Sequence, residues 1–197
     1  MNRYITQQTP HGSLHGQLEL PEEPRGLILI ARAHHAAQDA AISSCFVEFG
    51  FAPFTMELLT AQEMQFADAT QNVPRLTQRL IDLLDMIRLD GDMEKLPLTI
   101  FTTGDVAPAA IRSAAQRDTQ VKAVACHGGL IDRAGGQALD LLMAPLLMLF
   151  NTDDQAAKAA YQRATSHLAC LHEMQTINIG EDPATPAAVW FLRHLPG

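Results

Sequence analysis

The side chains able to do chemistry in this sequence gather at a few places. Cys126-His127 ends one apolar run, His34-His35 follows another, and Glu57 closes a third. Asp105 stands beside Gly104, and Asp153-Asp154 comes just after the run Leu146 to Phe150. A thiol next to an imidazole makes a nucleophile and base wherever the two touch, because the thiolate is the reactive form. Adjacent residues of an extended strand point to opposite faces, so the expectation here is a buried Cys126 and a partly exposed His127. His34, His35, His127, Glu57 and Asp154 together offer the mixed nitrogen and oxygen ligands of a metal site. No two of these histidines stand at H-x-x-x-H or H-E-x-x-H spacing. The expectation is therefore a polar rim without metal or cofactor, with His34-His35 capping the helix that follows. Asp105 and Asp153-Asp154 each precede a helical pattern, where a carboxylate meets free amides and the positive end of the helix dipole. A structural cap is expected at both.

The elements that must position these groups alternate along the chain. Tyr4 to Leu20 alternates weakly and reads as an antiparallel strand pair at a sheet edge. Gly26 to Ala31 is a short continuous apolar run, the pattern of a strand buried on both faces. Helix is expected over 40–49, stopped by Gly50, and strand over 52–56. The polar, Gln-rich stretch 57–73 reads as a loop with a short helix. From Pro74, residues Leu76, Leu80, Leu83, Leu84 and Ile87 recur at helical spacing. Strands are expected at 98–102, 121–126, 146–150 and 176–179, and helices at 106–116, 156–165 and 185–195. The stretch Leu141 to Met148, rich in Leu and Met, reads as core.

Alternating strands and helices of this length predict an α/β fold: one domain over residues 1–197, a three-layer α/β/α sandwich on a mostly parallel sheet, with no large lid. In such sheets ligands bind beyond the carboxyl ends of the strands. That rule selects Arg32, His34, His35, Glu57, Thr103, Asp105, Cys126 and Asp153 as ligand-binding candidates, with Glu181 and Asp182 on the last turn.

The order of these elements, with Glu57-Leu58-Leu59-Thr60 after the second parallel strand, resembles the dienelactone hydrolase group of α/β-hydrolases. The similarity also takes in Leu96-Pro97-Leu98-Thr99-Ile100-Phe101, Val121-Lys122-Ala123-Val124, Gly128-Gly129, Ala144-Pro145-Leu146-Leu147-Met148 and Asp153-Asp154. It covers nearly the whole chain, through several weak matches in the right order. The resemblance implies a G-x-S-x-G nucleophile elbow, a later acid, and a histidine after the last strand. The serine attacks, the histidine takes its proton, and the acid orients the imidazole. The elbow here reads Thr102-Thr103-Gly104-Asp105-Val106, so Gly104 stands at the nucleophile position. Asp154 matches the acid. After Ile179-Gly180 come Glu181-Asp182-Pro183, with no imidazole, and the oxyanion-side loop reads Arg32-Ala33-His34-His35 without the His-Gly pair of the family. His172, read as preceding the last strand, and His194, at the far end of the final helix, are poorly placed to replace it.

Composition closes other routes. A net charge of −8 and a pI near 5.4 argue against nucleic acid as partner, since phosphate binding needs clustered Lys and Arg. The three cysteines are widely spaced and form no C-x-x-C pair, the start lacks a signal-peptide core, and no apolar run is long enough to span a bilayer. The expectation is a cytoplasmic protein that avoids membranes. Its resemblance implies a degenerate hydrolase without serine-hydrolase activity, kept to bind a small molecule or to interact with protein, including a second copy of itself. The alternative is a hydrolase of esterase or lactonase type, or a lyase, rebuilt on His127 or His34 with Asp154 or Glu57 activating water.

Overall fold

The computed structural model describes residues 1–196. Eight strands form one sheet: β1 (Asn2–Thr9), β2 (Gly12–Glu19), β3 (Leu27–Arg32), β4 (Ala52–Glu57), β5 (Leu98–Thr103), β6 (Val121–His127), β7 (Leu146–Asn151) and β8 (His172–Ile177). Their spatial order is β1-β2-β4-β3-β5-β6-β7-β8. The hairpin β1–β2 is antiparallel and joins β4 antiparallel, while β4 to β8 pair in parallel. Six helices complete it: α1 (Asp39–Glu48), α2 (Val73–Leu89), α3 (Ala107–Gln116), α4 (Gly136–Leu141), α5 (Gln155–Ala164) and α6 (Ala184–His194).

Strand alternation divides the core in two. Leu29, Phe54, Ile100, Val124 and Met148 face the helices α2 to α5 on one side. Ile28, Ile30, Phe101, Ala125 and Leu149 face α1 and α6 on the other, around Phe46, Trp190 and Phe191. Every residue of β3 is buried, as its unbroken apolar run requires. Helix α2 follows the period read from sequence, burying Leu76, Leu80, Leu83, Leu84 and Ile87. Its start is fixed by Asn72, whose Oδ1 accepts from Arg75 N at 3.1 Å.

Two segments depart from the expected pattern. The last strand is His172–Ile177 rather than 176–179. It lies at the sheet edge with Glu173, Met174 and Thr176 exposed, so it carries no apolar run to mark it. His172 is thus the first residue of β8, paired with Leu146, and its Nδ1 lies 2.7 Å from Tyr161 Oη. A 3-10 turn at Ile131–Ala134 and the short α4 were also not expected. Both are too short to show a helical period, and Gly135-Gly136 interrupts the stretch between them.

The stretch after β4 is held down by a buried ion pair. It forms two 3-10 turns, Glu63–Gln65 and Ala69–Gln71. Thr60 and Glu63 cap each other: Thr60 N donates to Glu63 Oε2 at 3.0 Å, and Glu63 N to Thr60 Oγ1 at 3.2 Å. Arg79 of α2 then grips Glu63 with two nitrogens, at 2.5 and 2.7 Å, and donates to Leu58 O at 2.6 Å. This contact holds the Glu63 carboxyl at about 2, below its ordinary value, with the Arg79 hydrogen bonds as main cause.

Candidate functional site

The carboxyl ends of five of the six parallel strands, β3 to β7, each place one polar residue along the α1/α6 side of the sheet. Register puts Arg32 beside Glu57, and Thr103 beside His127. The parity of Ile28-Ile30, Phe101, Ala125 and Leu149 carries Arg32, Thr103, His127 and Asn151 to the same face. Arg32 is buried there, with its guanidinium 5.8 Å above the Phe101 ring. Its Nε lies 2.7 Å from Asp39 Oδ1 and its Nη1 donates to Thr103 Oγ1. Burial pushes the Arg32 pKa down, and the Asp39 carboxylate works against that shift. His127 Nε2 lies 2.9 Å from Asn151 Oδ1. Its partner is therefore an amide, which fixes the orientation of the imidazole.

The turn that the resemblance matches to a nucleophile elbow has glycine at its centre. Gly104 has φ +56°, in the left-handed region, and opens a 3-10 turn that leads into α3. A Cβ built on Gly104 meets nothing within 4 Å, so the space for a side chain is present and empty of protein atoms. Gly129, at φ +95°, is the opposite case: its Cβ would fall 2.3 Å from Gly104 O and 2.7 Å from the Ala107 Cβ. The turn after β6 therefore presses backbone to backbone against the elbow. The larger residues flanking the elbow are accommodated. Thr102 is fully buried with its hydroxyl donating to Ala31 O at 3.1 Å, and Val106 packs into the core.

Asp154, at the position of the family acid, is the N-cap of α5 and accepts from Ala157 N at 3.1 Å. Among the described residues no histidine, lysine or arginine comes within ion-pair distance of it, and the exposed Asp153 beside it makes no side-chain contact of that kind either. Asp105 is exposed and makes no cap: neither the 3-10 turn nor α3 is capped by a side chain. The turn starts directly from β5 at Thr103, which leaves Asp105 inside it rather than in front of it.

Several expectations change in the folded protein. Cys126 is fully buried against the α2–α5 side, and burial alone pushes its thiol up to about 12. It does not line the crevice; as strand alternation led one to expect, it is buried on the face opposite His127. His34 and His35 do not cap α1, whose N-cap is Gln38 without a side-chain bond. Asp39 tethers that loop instead, its Oδ2 accepting from Ala36 N at 2.9 Å with His35 Nδ1 at 3.4 Å. The set His34, His35, His127, Glu57 and Asp154 does not converge. Among the described residues no three His, Cys, Asp or Glu side chains are grouped to hold a metal ion.

The opening that takes in Glu57 and His35 is not above the elbow. A cleft of about 340 Å³ lies between the start of α1 and the hairpin β1–β2, with Glu57 and His35 in its lining. Tyr4, His15, Gln17, Glu19, Asp39, Ser43, Ser44 and Thr55 complete its polar lining. Beside Asp105 a second opening amounts to only about 10 Å³. Sequence reasoning named Glu57 and His35 but missed the hairpin residues. An alternating strand at a sheet edge carries no signal of which polar side chains face a helix across a gap.

The fold is that of the α/β-hydrolases, and it is dienelactone hydrolase-like. The dienelactone hydrolase from Anabaena variabilis ATCC 29413 superposes with a TM-score of 0.88 at 23% identity, covering 100% of this chain and 99% of that one. A cold-adapted esterase from an Arctic intertidal metagenomic library, bound to PEG, gives 0.75 at 12% identity, covering 99% and 94%. Est1E from Butyrivibrio proteoclasticus gives 0.74 at 10% identity, covering 96% and 97%. No family model matches the sequence. Two curated proteins of Mycobacterium tuberculosis, from strains CDC 1551 / Oshkosh and H37Rv and provisionally named phosphoribosyl transferases, are 29% identical over 196 residues. The match takes in 92% of this chain and 44% of each relative, so the chain spans less than half the length of the curated relatives it matches.

Proposed function

We propose that this chain, with its dienelactone hydrolase-like fold, has no serine-hydrolase activity and binds a small polar molecule in the cleft beside α1. The observation that carries the first half is position 104. The elbow holds its left-handed turn, at φ +56°, around an open space with no nucleophile in it. The turn between β8 and α6, where the family places its base, runs Asn178-Ile179-Gly180-Glu181-Asp182-Pro183 without an imidazole. Glu181 binds Asn178, and the Asp182 carboxylate accepts from Ala184 N and Thr185 N, so both carboxylates serve the turn itself. A catalytic sequence that needs nucleophile, base and acid retains only the acid position here.

The second half rests on the cleft, a concave volume within the size range of small-ligand sites and lined by convergent polar groups. The name of the mycobacterial relatives points toward phosphorylated substrates. The lining argues against carrying that over, because among the described residues no Arg or Lys borders the cleft to bind phosphate.

A hydrolase or lyase rebuilt on a histidine and a carboxylate is the second reading, favoured by His35 lying 3.4 Å from Asp39 at the cleft rim. It is the weaker one. Asp39 Oδ1 faces Arg32 Nε and Oδ2 accepts from Ala36 N, so this carboxylate anchors a loop rather than serving an imidazole. Hydrolysis of p-nitrophenyl acetate by the wild type, His127→Ala and His35→Ala tests both. Equal rates at the buffer background are expected from all three. A wild-type rate well above background, abolished by either substitution, would replace the binder with the rebuilt enzyme.

A further inference from the structure

We infer that two copies of this chain pair through β8, the outer edge of one meeting the same edge of the other in antiparallel register about Gln175. β8 ends the sheet on the side away from the hairpin, so this surface is separate from the cleft beside α1. Its backbone is half used. Leu146 N donates to Leu171 O and Thr152 N to Ile177 O, so the odd-numbered residues of the strand bond to β7. His172, Met174 and Thr176 therefore turn their N–H and C=O groups away from the sheet, and among the described residues no strand lies beyond them. An edge of this kind is a template for another strand. The usual devices against pairing are missing from it. The ladder to β7 keeps one register from His172 to Ile177, and the outward positions hold no Pro and no Lys, Arg, Asp or Glu.

The edge complements a second copy of itself. A two-fold axis at Gln175 sets Met174 of each copy opposite Thr176 of the other, and each such pair exchanges two N–H···O=C bonds. The same axis brings Leu171, just before the strand, to Ile179, just after it. These two side chains are 58% and 68% exposed. With Met174 they make three of the twelve large apolar side chains exposed among the described residues, gathered within nine consecutive positions. Antiparallel pairing covers Leu171 and Ile179 with each other at both ends of the contact.

Charge selects the same direction. At the amino end of β8 Arg193 of α6, more than half exposed, lies 3.8 Å from Glu173. Past the carboxyl end Glu181 is exposed, and among the described residues it has no Arg, Lys or His within ion-pair distance. The two-fold axis carries the Glu181 turn of each copy to the Arg193 end of the other. It also leaves Glu173 opposite Ile177 rather than opposite a second carboxylate. The contact is isologous, so it closes at two copies and joins their sheets into one.

Sedimentation velocity of the wild type from about 1 to 100 μM is the test, and a dimer of two 21.5 kDa chains is expected in the upper part of that range. Thr176→Pro removes an outward N–H while leaving the bonds to β7, and Met174→Lys sets a charge at both outward pairs. Either weakens the dimer at least about tenfold, whereas Thr6→Lys on the opposite edge strand leaves it unchanged. Cross-linking reads the register. Across the axis the two copies of residue 175 form a non-hydrogen-bonded pair with Cα atoms about 4.5 Å apart, within disulfide reach. Gln175→Cys is therefore expected to oxidise to a linked dimer and Glu173→Cys to stay unlinked, with the wild type and its own three cysteines as control. Circular dichroism verifies the fold of each variant, and Met174→Lys and the cross-link still decide the matter where Thr176→Pro does not fold. A monomer throughout the concentration range would overturn the inference. So would a dimer that survives Met174→Lys unchanged or one that Thr6→Lys breaks. Assembly growing without limit would refute the closed pair, and linkage through Glu173→Cys instead of Gln175→Cys would refute the register.

Discussion

Substituting the two glycines that meet at the elbow separates the effect of backbone strain from that of steric overlap. At Gly104 the angle is φ +56° and an added Cβ meets nothing within 4 Å, so Gly104→Ala carries only the cost of a left-handed backbone. That cost is about 1–2 kcal/mol. For a domain of this size each kcal/mol lowers Tm by roughly 2–4 °C, so a fall of about 2–8 °C is expected. Gly104→Ser behaves alike, and it returns a hydroxyl to the nucleophile position. At Gly129 the angle is φ +95°, and the added carbon would lie 2.3 Å from Gly104 O and 2.7 Å from the Ala107 Cβ. Neither neighbour is a flexible side-chain tip, so the backbone has to move. Gly129→Ala therefore loses more than about 4 kcal/mol or fails to fold. Scanning calorimetry of the variants reads the stabilities, and p-nitrophenyl acetate reads the chemistry. Gly104→Ser is expected to stay at background, since no base stands where the family keeps one. Similar losses at the two positions would refute the open elbow. Esterase activity in Gly104→Ser would show a base within reach and refute the account of what is missing.

The remaining expectations concern groups whose titration or reactivity the fold sets. The Glu63 carboxyl is held at about 2 by Arg79, below its unfolded value near 4.5, so the pair stabilises above pH 4.5 and loses that contribution as pH falls toward 2. Thermal denaturation across that window should show the loss, and Glu63→Gln should flatten it; an unchanged acid limb would rule out the coupling. Arg79→Met leaves a buried carboxylate without its main partner and should cost about 3–5 kcal/mol, read by urea denaturation. Cys126, buried with its thiol pushed up to about 12, should not react with Ellman's reagent at pH 8 in the native protein. Cys45 and Cys170 are partly exposed, with burial raising both thiols, and should react slowly. A third thiol should appear only on unfolding, and three fast native thiols would contradict the packing of β6.

Most of the architecture was legible because it depends on local periodicity. The unbroken apolar run of β3, the helical spacing of Leu76 to Ile87 and the hairpin before them each specify one element, and alternating elements leave few ways to stack. The left-handed turn at Gly104 was legible for a similar reason: one residue type at one place in the resembling elbow. The edge strand β8 and helix α4 were not, since an exposed strand and a six-residue helix carry too little apolar pattern to register.

The candidate site divides along the same line. Parity along a strand foretold that Cys126 and His127 part company, and the sequence placed Arg32, Glu57 and His127 at one end of the sheet. Which groups touch there was beyond it. Asp39, unremarked in the sequence, takes the contact to Arg32, while Asn151 rather than a carboxylate meets His127. Glu63 and Arg79, sixteen residues apart, became one buried pair. The cleft itself is set by how far α1 stands from the hairpin, a distance between elements joined through β3 and β4 rather than through neighbouring residues. Residue type and spacing decide which face of its own element a side chain occupies. Which side chain it meets across a gap depends on the packing of whole elements, and that is decided only when the chain has folded.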